Sequence, residues 1–228
     1  MDDEYSLYNQ HIGSVKVSNI SRGDLKNLIK TGEGSFLEFK RKIASPEKIA
    51  REIAAFANTK GGTILIGVDD NGDLIGVEGY LEEEFWLHKA AHELCVPAAD
   101  IQMELFHYGK REIMIVKVKE AEDKPVFVKG EKRRKVYIRA QDESIEASEE
   151  RIEIMKNRSS DEGVTFEYGE QEQLLFRFLN EYAEITIERC ATLLNVTTYR
   201  ASRILITMVS ANILSMYEKD GIEYYTFA

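Results

Sequence analysis

The chain has 228 residues, 43% of them hydrophobic, which is enough for one large domain or a main domain with a smaller one, and its formal net charge is −10. That charge argues against bulk coating of nucleic acid, and no run approaches the roughly eighteen apolar residues of a membrane span. The N-terminal MDDEYSLYNQ lacks the basic and apolar regions of a secretory signal. Cys95 and Cys190 lie far apart in apolar helical contexts, so buried thiols in a reducing, cytoplasmic setting are expected.

In chain order, residues 1–21 show no clear periodicity and read as an extension. Ser21 caps a short helix through Ile29, and Gly32 and Gly34 end it. Phe36 to Lys40 alternates apolar and charged, the mark of a half-buried strand. Ser45-Pro46 opens a helix with Ile49, Ile53, Ala54, Phe56 and Ala57 as its buried stripe. Gly61-Gly62 breaks it, serving either the turn or close approach by another backbone, and Asn58 is expected to cap the helix or touch a ligand. A central strand over 63–68 follows. Asp69-Asp70-Asn71-Gly72 then turns the chain into a hairpin partner at 74–77. A helix over 80–95 carries His88 and His92, read as a structural pair rather than a zinc site. Strands near 101–107, 111–119, 126–129 and 135–139 come next, then a polar helix near 148–157 and a linker through Gly163. Helices mixed with hairpin-connected strands make residues 22–157 an α+β domain. Residues 164–228 read as three helices and a terminal hairpin, a winged helix with Thr198, Tyr199, Arg200 and Arg203 early on its recognition helix. Nine acidic and five basic residues in this stretch suit docking or dimerisation as well as DNA contact.

Charge concentrates in two patterns. Glu33, Glu38 and Asp70 bracket the Gly-Gly turn, with Lys40 on the same strand face as Glu38. Basic residues gather at Lys40-Arg41-Lys42 and at Lys132-Arg133-Arg134-Lys135, with Arg139 beyond. Two readings are open for the cations, a solvated hairpin or a phosphate-binding patch. The patch survives the overall acidity because screening limits distant charges to about 8–10 Å. For the acids, an ion pair and a turn cap stand beside a divalent-metal site.

The pieces Glu33-x4-Glu38-Phe39-Lys40, Ala55-Phe56-Ala57-Asn58-Thr59-x-Gly61-Gly62, Ile66-Gly67-Val68-Asp69-Asp70-x-Gly72, Lys124-Pro125-Val126-Phe127-Val128-Lys129-Gly130 and Tyr137-Ile138-Arg139 together resemble the Schlafen AlbA-type domain, over roughly residues 22–150. The chain departs at Ala140-Gln141-Asp142-Glu143-Ser144, where that family usually has a small residue followed by Ser and Thr. The resemblance implies a mixed, mostly antiparallel sheet with flanking helices, followed by a small winged helix, in a regulator of transcription that binds DNA or RNA; the acidic winged helix adds the expectation of a homo-oligomer. On this view Lys40, Arg41, Lys132, Arg133, Arg134 and Arg139 contact nucleic acid. The vertebrate relatives imply a rival, an endoribonuclease in which Glu33, Glu38 and Asp70 hold Mg²⁺ or Mn²⁺ and Lys40 offsets charge on phosphorus. The acidic balance suggests a third reading, a protein-interaction scaffold.

Overall fold

A computed structural model describes residues 15–130, 132–160, 163–166 and 168–228. The expected extension through residue 14, and Asp161 and Glu162 of the expected linker, lie outside the described residues. The chain divides into two compact units between Ala147 and Ser148. No helix among the described residues is long and apolar enough to cross a membrane.

The first unit runs β1 (Lys16–Val17), α1 (Arg22–Lys30), β2 (Leu37–Lys40), α2 (Pro46–Asn58), β3 (Gly62–Ile66), α3 (Leu81–His88), β4 (Cys95–Val96), β5 (Ile101–Tyr108), β6 (Arg111–Val118), β7 (Phe127–Val128), β8 (Lys135–Ala140) and β9 (Glu143–Glu146). Ser21 Oγ accepts the Asp24 N–H at 3.1 Å and Ser45 Oγ accepts that of Lys48 at 3.3 Å, so α1 and α2 start at the residues whose side chains replace missing helical acceptors. The helix expected over 80–95 changes pitch: α3 continues as a π-helical stretch, Lys89–Leu94, along which His88 and His92 stack with ring centroids 5.6 Å apart.

One sheet has the order β1-β5-β6-β3-β2, parallel at β1–β5 and β2–β3 and antiparallel elsewhere; the other, β4-β7-β8-β9, is antiparallel throughout. The unit is thus α+β with mostly antiparallel pairing. Side-chain alternation divides the larger sheet into two faces. Ile64, Ile66, Met114, Val116 and Val118 pack with Ile49, Ile53 and Phe56 of α2, while Leu65, Ile113 and Ile115 pack with Leu25 and Ile29 of α1. On β2 the same period commits Leu37 and Phe39 to the α1 side. Glu38 and Lys40 are thereby turned toward α2.

Three expectations change. Residues 74–77 do not pair as a strand; they make only the bridges Val68–Leu74 and Val77–Glu112, because both edges of β3 are already taken by β2 and β6. Strand β9, at the departure from the family pattern, was not foreseen; its signal is the Gln141-Asp142 turn, where Gln141 has φ 58°. Asn58 neither ends its helix by capping nor faces a ligand. It is buried, giving hydrogen bonds to Val126 O and Tyr137 O at 2.9 Å and accepting the Val126 N–H at 2.7 Å.

The second unit runs α4 (Glu149–Arg158), α5 (Glu170–Tyr182), β10 (Glu184–Ile185), α6 (Ile187–Leu194), α7 (Thr198–Ser210), β11 (Leu214–Lys219) and β12 (Ile222–Phe227), with a three-stranded antiparallel sheet in the order β10-β12-β11. Thr186 and Thr197 cap α6 and α7, and Asn195, left-handed at φ 52°, closes α6. The helix expected at the end of the first domain is α4, and it belongs here, because Ile154 joins the core of Leu175, Leu179, Leu205, Val209 and Tyr225. Both thiols are buried, one in each unit, and burial pushes Cys95 and Cys190 up to about 12.

Candidate nucleic-acid interface

The acidic cluster is organised by a buried guanidinium. Arg139, 6% exposed, extends from β8 beneath α2. Its Nη1 donates to Glu38 at 2.9 Å, to Ser144 at 3.1 Å and to Glu52 at 3.2 Å, and its Nη2 donates to Gly34 O at 2.7 Å. The cation also lies 4.7 Å over the Phe56 ring. That ring has room because residue 62 is glycine: a Cβ there would come within 2.3 Å of it. Gly61, at φ 71°, makes the turn from α2 into β3. The two glycines therefore shape the floor beneath Arg139.

Arg139 was expected to contact nucleic acid; instead it is internal, because Glu38, Glu52, Ser144 and Phe56 all converge on it from other elements. The other Glu38 oxygen is taken by Lys40 Nζ. Glu33, exposed, accepts the Phe39 N–H at 2.8 Å. Partial desolvation raises its pKa against that hydrogen bond, with repulsion from Glu38 and Asp70 adding. Asp70 is exposed and near enough for Glu33 to feel it. The turn itself is capped by Asp69, which accepts from Asn71 and Asp73 at 3.1 and 2.9 Å.

Among the described residues no three His, Cys, Asp or Glu side chains form a group that could hold a metal ion. Mg²⁺ needs a near-octahedral set of free oxygens at about 2.0–2.1 Å. Glu38 has both oxygens committed to cations, so Glu33, Glu38 and Asp70 do not fit Mg²⁺ or Mn²⁺ as arranged. Lys40, expected to face a reacting phosphorus, instead neutralises Glu38.

The cations make a different site. As the chain leaves β2 and enters α2 it forms a groove of about 250 Å³, lined by Lys40, Lys42, Lys48, Arg51 and Glu52 over Ile43, Ala44 and Ile49. Glu83, buried, accepts the Ile43 N–H at 3.0 Å and pins this loop. Burial raises the Glu83 pKa, partly offset by that hydrogen bond. Four further lysines of the unit are paired, Lys117 with Glu104, Lys119 with Asp100, Lys124 with Glu120 and Lys135 with Glu146. Lys42, Lys48 and Arg51 have no ion-pair partner among the described residues. Arg51 lies 5.7 Å over the Tyr137 ring of β8. The Glu146 carboxylate is held low first by Lys135, with Arg133 and Arg51 adding. Arg51 therefore carries the basic surface from the groove to the hairpin side chains Arg133 and Lys135.

Of the residues expected at this face, Arg41, Lys132, Arg133 and Arg134 are exposed, and Arg133 pairs with Glu146 at 2.7 Å. Lys48 and Arg51 are not among the residues expected from the sequence, because they lie outside its runs of cations. Their signal was the three-residue spacing on the face of α2 opposite its apolar stripe.

In the second unit Thr198, Tyr199 and Arg200 are exposed on the first turn of α7, Tyr199 at 76%. Arg203 is not free, since it pairs with Glu153 of α4. That helix also receives Ser202 Oγ on Glu150 at 3.3 Å and gives Arg158 Nη2 to Val209 O at 2.7 Å. α4 is thus fastened along α7.

The family model described as Schlafen, AlbA_2 matches residues 33–148. No curated protein matches the chain. Among solved structures the chain is similar to the DIP2311 protein from Corynebacterium diphtheriae, at 15% identity and a TM-score of 0.41, covering 81% of this chain and 36% of that one. It is also similar to the N-terminal domain of a RecG-related protein from Nitrosomonas europaea, at 22% identity and a TM-score of 0.38, covering 57% of this chain and 92% of that one. Both likenesses are too distant to bear on function.

Proposed function

We propose that this chain, which belongs to the Schlafen AlbA_2 family, binds nucleic acid through the cationic face of its first unit and acts as a regulator of transcription in the cytoplasm. One observation carries the reading: Lys42, Lys48 and Arg51 line one groove with no ion-pair partner among the described residues, in a chain with 40 acidic and 30 basic residues. Like charges held together repel, and on so acidic a protein nearby carboxylates are the ordinary remedy. The carboxylate that lines the groove, Glu52, is engaged by Arg139 and Ser144, which leaves the three cations to an external polyanion, whose phosphates supply the missing charge and release counterions. Arg41, Lys132, Arg133 and Arg134 extend the surface that such a strand would follow.

In this reading the second unit is a winged helix and α7 its recognition helix, with Thr198, Tyr199 and Arg200 near the bases. Arg203, tied to Glu153, contributes to the fastening of α4 instead. From Ser148 onward the chain has fourteen acidic and eight basic residues, so this unit supports self-association into a homo-oligomer more than electrostatic grip. A mobility-shift titration with labelled single-stranded and duplex oligonucleotides tests the proposal. Lys48→Glu with Arg51→Glu is expected to weaken binding at least about tenfold, since two phosphate contacts become repulsive. Unchanged affinity would contradict the assignment.

A further inference from the structure

We propose that the groove beside α2 is a phosphomonoester site and that, on the nucleic-acid reading above, it takes the terminal phosphate of a strand in preference to an internal phosphodiester. Three observations lead there. The first is shape. The cations surround a recess of about 250 Å³ rather than topping a ridge. A recess admits an end group, while a strand that passes straight through can only bridge its mouth. Ile43, Ala44 and Ile49 give it apolar walls, which concentrate the field of the surrounding charges.

The second is charge. A phosphomonoester carries about −1.5 to −2 at neutral pH and three acceptor oxygens, against −1 for a diester. Lys42, Lys48 and Arg51 are three donors without ion-pair partners among the described residues, which matches the more highly charged group.

The third is that the obvious competitors are engaged by other partners. Glu52 follows Lys48 by four residues and Glu47 precedes Arg51 by four, the spacing at which helical ion pairs form. Neither pair forms. Glu52 receives Arg139 and the Ser144 hydroxyl on the inner side, and Glu47 is hydrogen-bonded by the Ser45 side chain. Glu38 is likewise held by Arg139 and Lys40. Arg139 is therefore a positioning residue: it engages Glu52, which lines the recess, so that this carboxylate does not pair with Lys48.

The test uses the full chain and internally labelled single strands of one sequence, bearing a 5′-phosphate, a 3′-phosphate or hydroxyls at both ends, followed by fluorescence anisotropy. AMP and inorganic phosphate, titrated by calorimetry, distinguish a free phosphomonoester from a strand end. At pH 7.5 a phosphorylated strand is expected to bind roughly tenfold tighter than the hydroxyl strand. That advantage should shrink toward pH 5.5, as the second ionisation near pKa 6 is lost. Lys48→Glu, or separately Lys42→Gln, should abolish the advantage; both side chains are exposed. Equal affinity for all three strands would overturn the inference while leaving the nucleic-acid reading intact. AMP binding that Lys48→Glu abolishes, with no strand bound, would support the phosphomonoester site and overturn the nucleic-acid reading. Failure to bind strands, AMP and phosphate alike would overturn both.

Discussion

Arg139→Gln is expected to lower the unfolding free energy of the first unit by about 3–5 kcal/mol, the typical cost of leaving one member of a buried ion pair behind. The wild-type guanidinium ties Gly34 ahead of β2, Glu38 on β2, Glu52 on α2 and Ser144 on β9, and it covers the face of Phe56. Glutamine can replace one of these bonds but carries no charge, so Glu38, 5% exposed, loses its main buried counter-ion. Arg133→Gln removes an ion pair of similar length, to Glu146 at 2.7 Å, but with a 70% exposed side chain, and should cost less than about 1 kcal/mol. Trp86 is the sole tryptophan and packs on the core of the first unit, so urea unfolding followed by its fluorescence reads that unit alone. Equal stabilities for Arg139→Gln and Arg133→Gln would refute the hub role. Adding Glu38→Gln to Arg139→Gln should recover part of the loss, because it removes the stranded charge.

The second large effect is expected at Asn58. Its amide gives two hydrogen bonds and accepts one, joining the last turn of α2 to the backbone of β8 and to that of Val126, the residue before β7. Asn58→Ala removes those partners from Val126 N–H, Val126 O and Tyr137 O in a region where Val126 is fully buried. Each orphaned group costs about 1–3 kcal/mol, so a total of about 3 kcal/mol or more is expected, less whatever water entering the small cavity restores. The same Trp86 titration measures it. A loss below about 1 kcal/mol would mean that the smaller sheet is held by packing alone.

Both residues illustrate which parts of this fold are local. Ser21, Ser45, Thr186 and Thr197 could be recognised as caps because each acts within three residues of itself. The alternation of β2 likewise places Glu38 and Lys40 on one face with nothing but the strand period. Arg139 and Glu38, by contrast, are 101 residues apart, and Asn58 reaches across 68 and 79 residues. No spacing in the sequence distinguishes an arginine that will be enclosed by two carboxylates from one that will meet solvent. The basic runs drew attention to Arg41, Lys132, Arg133 and Arg134, and these are exposed. What brought Lys48 and Arg51 into the same surface was the pairing of β8 and β9 beside α2, together with the engagement of Glu52 by Arg139. Both depend on tertiary structure. Alignment with the family pattern identified Glu33, Glu38 and Asp70 as a set, but whether such acids can share an ion depends on which cations reach them first.

The salt dependence of strand binding tests the central assignment most directly. The three groove cations, if each neutralises one phosphate charge of a single strand, contribute about −2 to the slope of log K against log salt, at about −0.7 per charge. Lys42→Glu, Lys48→Glu and Arg51→Glu in combination should weaken binding and make that slope shallower by about 2 while leaving the Trp86 unfolding curve in place. A triple variant that keeps the wild-type slope and affinity would show that nucleic acid, if bound, is held elsewhere on the molecule.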